Sequence, residues 1–287
     1  MRLVPLVGVL LLWARPSPAA TLRVSPAEFV VQNVPVGRLC DLHVPHGVVL
    51  EIRNDDEGAH TYGLSARAPA AATLQEGYAA IPDPAWFTFE PRRVTVAAGA
   101  TGQSKMFVSI PRDARYYNQH WVVSLAVEAV PEPGSMVALA AYPRAYLETE
   151  AKADVKIGGH GATAVAPSVL SIGTSDNGPA RSTFRIFNND SRPHSYTLRV
   201  SAGARKILAS PGRGWISNPG WLHVEPRAVT IRAGQTAAFT VEAQVPDVYR
   251  GTMPAWEAIV FVEPEKGSEI GPSFVRVQAK RAKERQP

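Results

Sequence analysis

One cysteine, Cys40, among 287 residues excludes an intrachain disulfide and any zinc site built mainly on thiolates. Charged residues make up only 19% of the chain and hydrophobic ones 45%, a balance that excludes a disordered polymer. Long apolar runs are missing beyond the N-terminus: Met136–Tyr142 is far too short to cross a bilayer. Also missing are a Gly-x-Ser-x-Gly elbow, a phosphate loop, a His-Glu-x-x-His pair and a dinucleotide fingerprint. The chain is therefore expected to be non-enzymatic, without a cofactor. Proline (25) and glycine (22), by contrast, are plentiful, and point to many turns rather than long helices.

The formal charge of +5 loses its meaning once it is located. Residues 1–19 have the layout of a secretory signal: Arg2, the apolar stretch Val4–Trp13, then Ser17-Pro18-Ala19 as a cleavage site. That segment carries +2, and the tail 280–287 carries +3. Residues 20–279 hold 24 basic and 24 acidic side chains. A neutral body with no basic face argues against a nucleic-acid partner. The mature protein is expected in the periplasm or outside the cell, with no integral membrane segment.

The strongest signal is an internal duplication. Ile52-Arg53-Asn54 followed by His60-Thr61-Tyr62-Gly63-Leu64 matches Ile186-Phe187-Asn188 followed by His194-Ser195-Tyr196-Thr197-Leu198, at an offset of 134. Pro84, Trp86, Glu90, Pro91, Arg92, Val94 and Thr95 match Pro219, Trp221, Glu225, Pro226, Arg227, Val229 and Thr230, at an offset of 135 that continues to Trp121/Trp256. Each copy reads as strands. Val94-Thr95-Val96 and Val229-Thr230-Ile231 alternate, as do Phe107–Ile110 and Phe239–Val241, with the two-residue period of a half-buried sheet. Trp121–Val127 and Trp256–Val262 are apolar almost throughout and suit central strands. The expected fold is all-β: two tandem β-sandwiches at 20–152 and 167–279, joined by a Gly-rich linker at 153–166 that permits relative motion, with a basic tail at 280–287.

The run Trp-x-x-x-Glu-Pro, alternating strand, Ala-Gly, strand, Pro resembles bacterial immunoglobulin-like domains of exported proteins. More narrowly, the first unit resembles the N-terminal domain of periplasmic pilus chaperones of the PapD-like type. The resemblance implies that the last strand of that unit, Met136–Glu148, lends the alternating Val137, Leu139 and Ala141 to an incomplete subunit, a form of β-augmentation.

Three residue sets could carry function. Besides that strand, Arg115-Tyr116-Tyr117-Asn118-Gln119-His120 lacks a counterpart in the second copy, and Tyr116, Tyr117, Asn118 and Gln119 on an end loop suit a protein or glycan partner, or a corner tyrosine packed on its own domain. Cys40, His43 and His46 have the ligand types and spacing for copper or zinc, against a buried thiol in a loop. His60 and His194, kept in both copies, read as turn residues, and the acidic turn Asp55-Asp56-Glu57 as solvated. The leading expectation is a binding or assembly module of the cell envelope acting on a protein partner. A strand-donating pilus-type chaperone is the alternative, and a copper or zinc protein the third reading.

Overall fold

A strand with one apolar face must bury it against a second sheet, and this chain does so twice. The computed structural model describes residues 21–131, 139–155, 163–174, 179–203, 207–246, 255–266 and 271–281. The first unit contains β1 (Leu22–Ser25), β2 (Glu28–Val34), β3 (Leu39–Asp41), α1 (His43–His46), β4 (Leu50–Asn54), β5 (His60–Arg67) and β6 (Ala79–Ala80). It continues with β7 (Phe87–Glu90), β8 (Arg93–Val96), β9 (Thr101–Ser109), β10 (His120–Ala129), β11 (Ala140–Ala141) and β12 (Arg144–Thr149). The second unit contains β13 (Thr163–Ala166), β14 (Val169–Thr174), β15 (Ala180–Asn188), β16 (His194–Ser201) and β17 (Gly214–Trp215). Then follow β18 (Leu222–Glu225), β19 (Ala228–Ile231), β20 (Thr236–Ala243), β21 (Trp256–Pro264) and β22 (Ser273–Arg281).

Both units fold alike. In each, one sheet orders as β2-β12-β10-β5-β8 or β14-β22-β21-β16-β19, and the facing sheet is built around β9 or β20. The N-terminal strand switches sheets in both. β1 pairs with β4 and β2 with β12, just as β13 pairs with β15 and β14 with β22. Two tandem immunoglobulin-like sandwiches follow from this strand order. Their cores are separate, one around Trp121, Tyr62 and Ile52, the other around Trp256, Tyr196 and Ile186.

The duplicated asparagines and histidines hold one hairpin in each copy. Asn54 Nδ2 donates to the carbonyls of Gly58 and Val96 at 2.7 and 3.1 Å, and Asn188 Nδ2 to those of Arg192 and Ile231 at 2.7 and 2.9 Å. Their Oδ1 atoms accept from the amides of Asp56 and Asp190. Each histidine then meets the aspartate four residues before it, His60 with Asp56 at 2.9 Å and His194 with Asp190 at 2.7 Å. That hydrogen bond holds both aspartates below the usual carboxylate range. Asp55 is engaged as well, by Arg23 at 2.8 Å and Arg53 at 2.5 Å. The expected solvated turn is in fact an ion-paired one.

The expected boundaries shift at two places. Thr163–Ala166, placed at the end of the linker, is strand β13 and pairs with Ala164↔Phe187 register in the second sandwich. Lys280 and Arg281, placed in the basic tail, continue β22 and pair with Gly173 and Thr174 of β14. The signal segment 1–19, the linker core 156–162 and the rest of the tail lie outside the described residues.

One strand differs between the copies. β15 runs unbroken along β20, whereas in the first unit β3 and β4 share β9 with Leu42–Val49 looped out between them. That loop carries α1, which Gly47 closes in the left-handed region at φ 64°.

Candidate functional site

The segment proposed as a donor strand divides in two. β12 lies inside its sheet, antiparallel to β10 on one side and parallel to β2 on the other, with Arg144↔Glu28 through Leu147↔Val31 in register. Both of its edges are occupied, so this part of Met136–Glu148 has no free edge to lend. β11 is different. It pairs with β10 through Val127↔Ala141 and Glu128↔Ala140, and among the described residues no strand pairs with its other edge, although β1 packs nearby. The carbonyls of Leu139 and Pro143 accept from Ala129 and Leu125 of β10 at 2.8 Å each. The alternation of a strand therefore turns the main-chain groups of Ala140 and Tyr142 outward. Ala141 packs against the first core and Leu139 is half-buried, while Ala140 and Tyr142 are exposed. Val137 lies outside the described residues.

The loop before β10 is turned inward. Tyr116 is buried, its ring edge-on to Trp86 at 4.9 Å and to Trp121 at 5.8 Å. Asn118 is also buried, at φ 59°; its Nδ2 donates to the Lys152 carbonyl at 2.8 Å and its Oδ1 accepts from the amides of Lys152 and Ser168 at 2.9 Å each. It ties the end of the first sandwich to the start of the second. Tyr117 is half-buried beneath the Lys152 ammonium at 3.8 Å, and Gln119 Nε2 donates to the Tyr117 carbonyl at 3.0 Å. Contrary to the expected partner-binding role, Tyr116 and Asn118 are spent within the chain, which consumes their aromatic and polar surface.

The Cys/His set is likewise not assembled. Cys40 Sγ and His46 Nε2 approach to 3.9 Å, but His43 is exposed on α1 and lines a shallow cavity with Glu90, Gln103 and Lys105. Among the described residues no three His, Cys, Asp or Glu side chains cluster to hold an ion. Burial, with the nearby Asp41 charge, pushes the Cys40 thiol up, and burial pushes His46 down.

The polar cluster that sequence reasoning missed lies between the sandwiches. Residues of β10, β12 and β2 that point away from the first core (Val122, Tyr146, Val30) pack on residues of β21 and β22 that point away from the second (Ile259, Phe261, Phe274). The same sheet of each unit is thus buried on both faces, which is why Trp121–Val127 and Trp256–Val262 lack alternation. Fully burying such side chains contributes roughly 1.5–3 kcal/mol each. This contact replaces the freely moving pair expected from the linker.

At the centre of that contact, Arg276 donates to Glu148 of the first sandwich through Nε at 2.9 Å and through Nη2, and to Glu257 through Nη1 at 2.7 Å. All three side chains are at most 1% exposed. Tyr78 Oη and Gln32 Nε2 also donate to Glu148, at 2.8 and 3.2 Å, and the Ser210 amide and hydroxyl donate to Glu257. Burial alone would raise the Glu148 pKa, but the Arg276 charge and hydrogen bonds outweigh it and leave the carboxyl below its ordinary value. His120, the register partner of Glu148, stacks on Phe274 at 3.8 Å and 15°, with Tyr78 edge-on at 5.9 Å. Its Nε2 is buried without a hydrogen-bond partner. Burial lowers its pKa to about 4, against the raising effect of Glu148.

No family model matches the chain, and no curated protein matches it. Solved structures similar to it include a Porphyromonas gingivalis protein of unknown function, 14% identical, covering 90% of this chain and 99% of that one at a TM-score of 0.34. The E. coli chaperone DraB is 10% identical over 92% of this chain and 97% of its own, at a TM-score of 0.32. The periplasmic chaperone SfaE is 9% identical over 90% and 99%, at 0.31. Among the described residues no helix is long and apolar enough to cross a membrane.

Proposed function

We propose that this chain is a non-enzymatic, exported binding module of the cell envelope that acts on a protein partner through strand addition. The observation that carries this reading is β11, whose outer edge is hydrogen-bonded to no described strand although β12, its continuation, is closed on both sides. An extended partner segment gains main-chain hydrogen bonds along Ala140 and Tyr142. Ala141 packs on its own core, so β11 offers an edge rather than side chains to fill a partner's interior. That favours general strand capture over the pilus-type donor role, in which Val137, Leu139 and Ala141 would enter the partner.

The test is capture from an envelope fraction by a photo-crosslinker placed at the exposed position 142. Ala140→Pro removes one outward N–H and no bond to β10, so it should abolish the crosslinked species and leave circular dichroism unchanged. Equal capture by a folded Ala140→Pro protein would sink the edge reading, and failure to capture any protein would sink the binding module itself.

A further inference from the structure

We propose that His120 is an acid-sensitive latch: its neutral ring holds the two sandwiches face to face, and its protonation releases them. The ring belongs to the first sandwich and stacks on Phe274 of the second at 3.8 Å. Closing the interface strips it of water and leaves Nε2 without a partner. A proton there would have to sit in this dry contact.

Each element packed on the ring bears on that proton. β12 contributes Glu148, directly opposite in register, but its oxygens already accept from Arg276, Tyr78 and Gln32. β22 contributes Phe274 and the Arg276 guanidinium, a fixed positive charge. The loop before β6 contributes the Tyr78 ring, whose phenol stays neutral because burial and the Glu148 charge hold its pKa well above the ordinary value. β21 contributes Glu257, which is committed to Arg276 and Ser210. Imidazolium would therefore meet two occupied carboxylates and one competing cation. Parting the sheets hydrates it instead.

The sign follows from linkage. In the closed form His120 titrates at about 4, whereas a hydrated imidazole titrates at 6.5. The open form binds the proton first, so opening becomes about tenfold easier per pH unit below 6.5, roughly 300-fold over the whole window. Above pH 6.5 the latch has no pH dependence.

Hydrogen–deuterium exchange on the full chain, corrected for the intrinsic pH dependence of exchange, reads the opening of peptides covering 144–149 and 273–278. The wild type should open about tenfold more per unit between about pH 6.5 and 4.5, with separation of the sandwiches visible in small-angle scattering. His120→Phe keeps a ring on Phe274 and should flatten that slope. A flat wild-type profile, or a slope retained in folded His120→Phe, overturns the latch. Should His120→Phe fail to fold, the ring resonances of wild-type His120 decide. Titration near 6.5 with the interface still closed overturns the proposal, and a ring that stays neutral until the interface opens supports it.

Discussion

Arg276, in the second sandwich, grips Glu148, in the first, through two guanidinium nitrogens, and neither side chain touches water. Charges taken out of water together hold each other in place, and removing one strands the other. Arg276→Met leaves both Glu148 and Glu257 unpaired in a dry contact. It should cost about 3–5 kcal/mol in urea unfolding. Replacing Arg276, Glu148 and Glu257 together by apolar residues of similar volume should cost far less, because no orphaned charge remains. A triple variant as unstable as Arg276→Met would contradict this account.

The same pair sets an acid limit distinct from that of His120. The folded pKa of Glu148 lies below its ordinary 4.5, so its contribution is complete above that value and is lost as pH falls through the lowered one. The stability difference between wild type and Glu148→Gln should stay constant from neutral pH to about 4.5 and narrow below it. Chemical unfolding across that range measures it.

Asn54→Ala frees the carbonyls of Gly58, Val96 and Ala97, and Asn188→Ala those of Arg192 and Ile231, all of which the side-chain amides otherwise satisfy. Each should destabilise the protein by about 1–3 kcal/mol. The two clasps lie in separate sandwiches and share no partner, so the double variant should show the sum to within about 0.5 kcal/mol. Thermal unfolding of the three proteins is sufficient.

Gly77 sits at φ +84°, and a Cβ there would lie 2.4 Å from Cδ1 of Phe274. That ring is fixed between His120 and Tyr78 and cannot swing aside. Gly77→Ala should therefore wedge the sandwiches apart at a cost of about 1–3 kcal/mol, and raise exchange at 273–278 already at neutral pH. Unchanged exchange there would mean that this contact is not tight in solution.

Much of the architecture is written in the chain. The duplication carries Asn54 and Asn188 into matching places, and period-two alternation marks β8, β9, β19 and β20. The loss of alternation in β10 and β21 is visible too, but a continuously apolar strand looks the same whether it is merely central in a sheet or buried on a second face. Arg276, Glu148 and Glu257 escaped because a charged residue at an outward strand position looks the same whether water or another sandwich faces it. A signal existed: Glu257 shares its outward face with Ile259 and Phe261, and Glu148 shares its own with Tyr146, company that solvent-facing charges seldom keep. The Met136–Glu148 reading took one strand where Tyr142-Pro143 divides two, since alternation of side chains carries no record of which edges are occupied. Likewise, Cys-x-x-His-x-x-His spacing counts residues and not surroundings: His46 meets the thiol, whereas His43 is exposed beside Glu90, Gln103 and Lys105.

Phe274 and Arg276 occupy in β22 the places that Tyr142 and Arg144 occupy in the first unit, because Arg276 and Arg144 donate the equivalent amide hydrogen bond to Ser168 and Ala27. Phe274 is sealed, whereas Tyr142 is 53% exposed and bonded to Glu128, which also pairs with Arg67. Duplication therefore produced two copies of a strand end but left one open to other molecules. A chain made of two like halves should bind its partner with a stoichiometry of one.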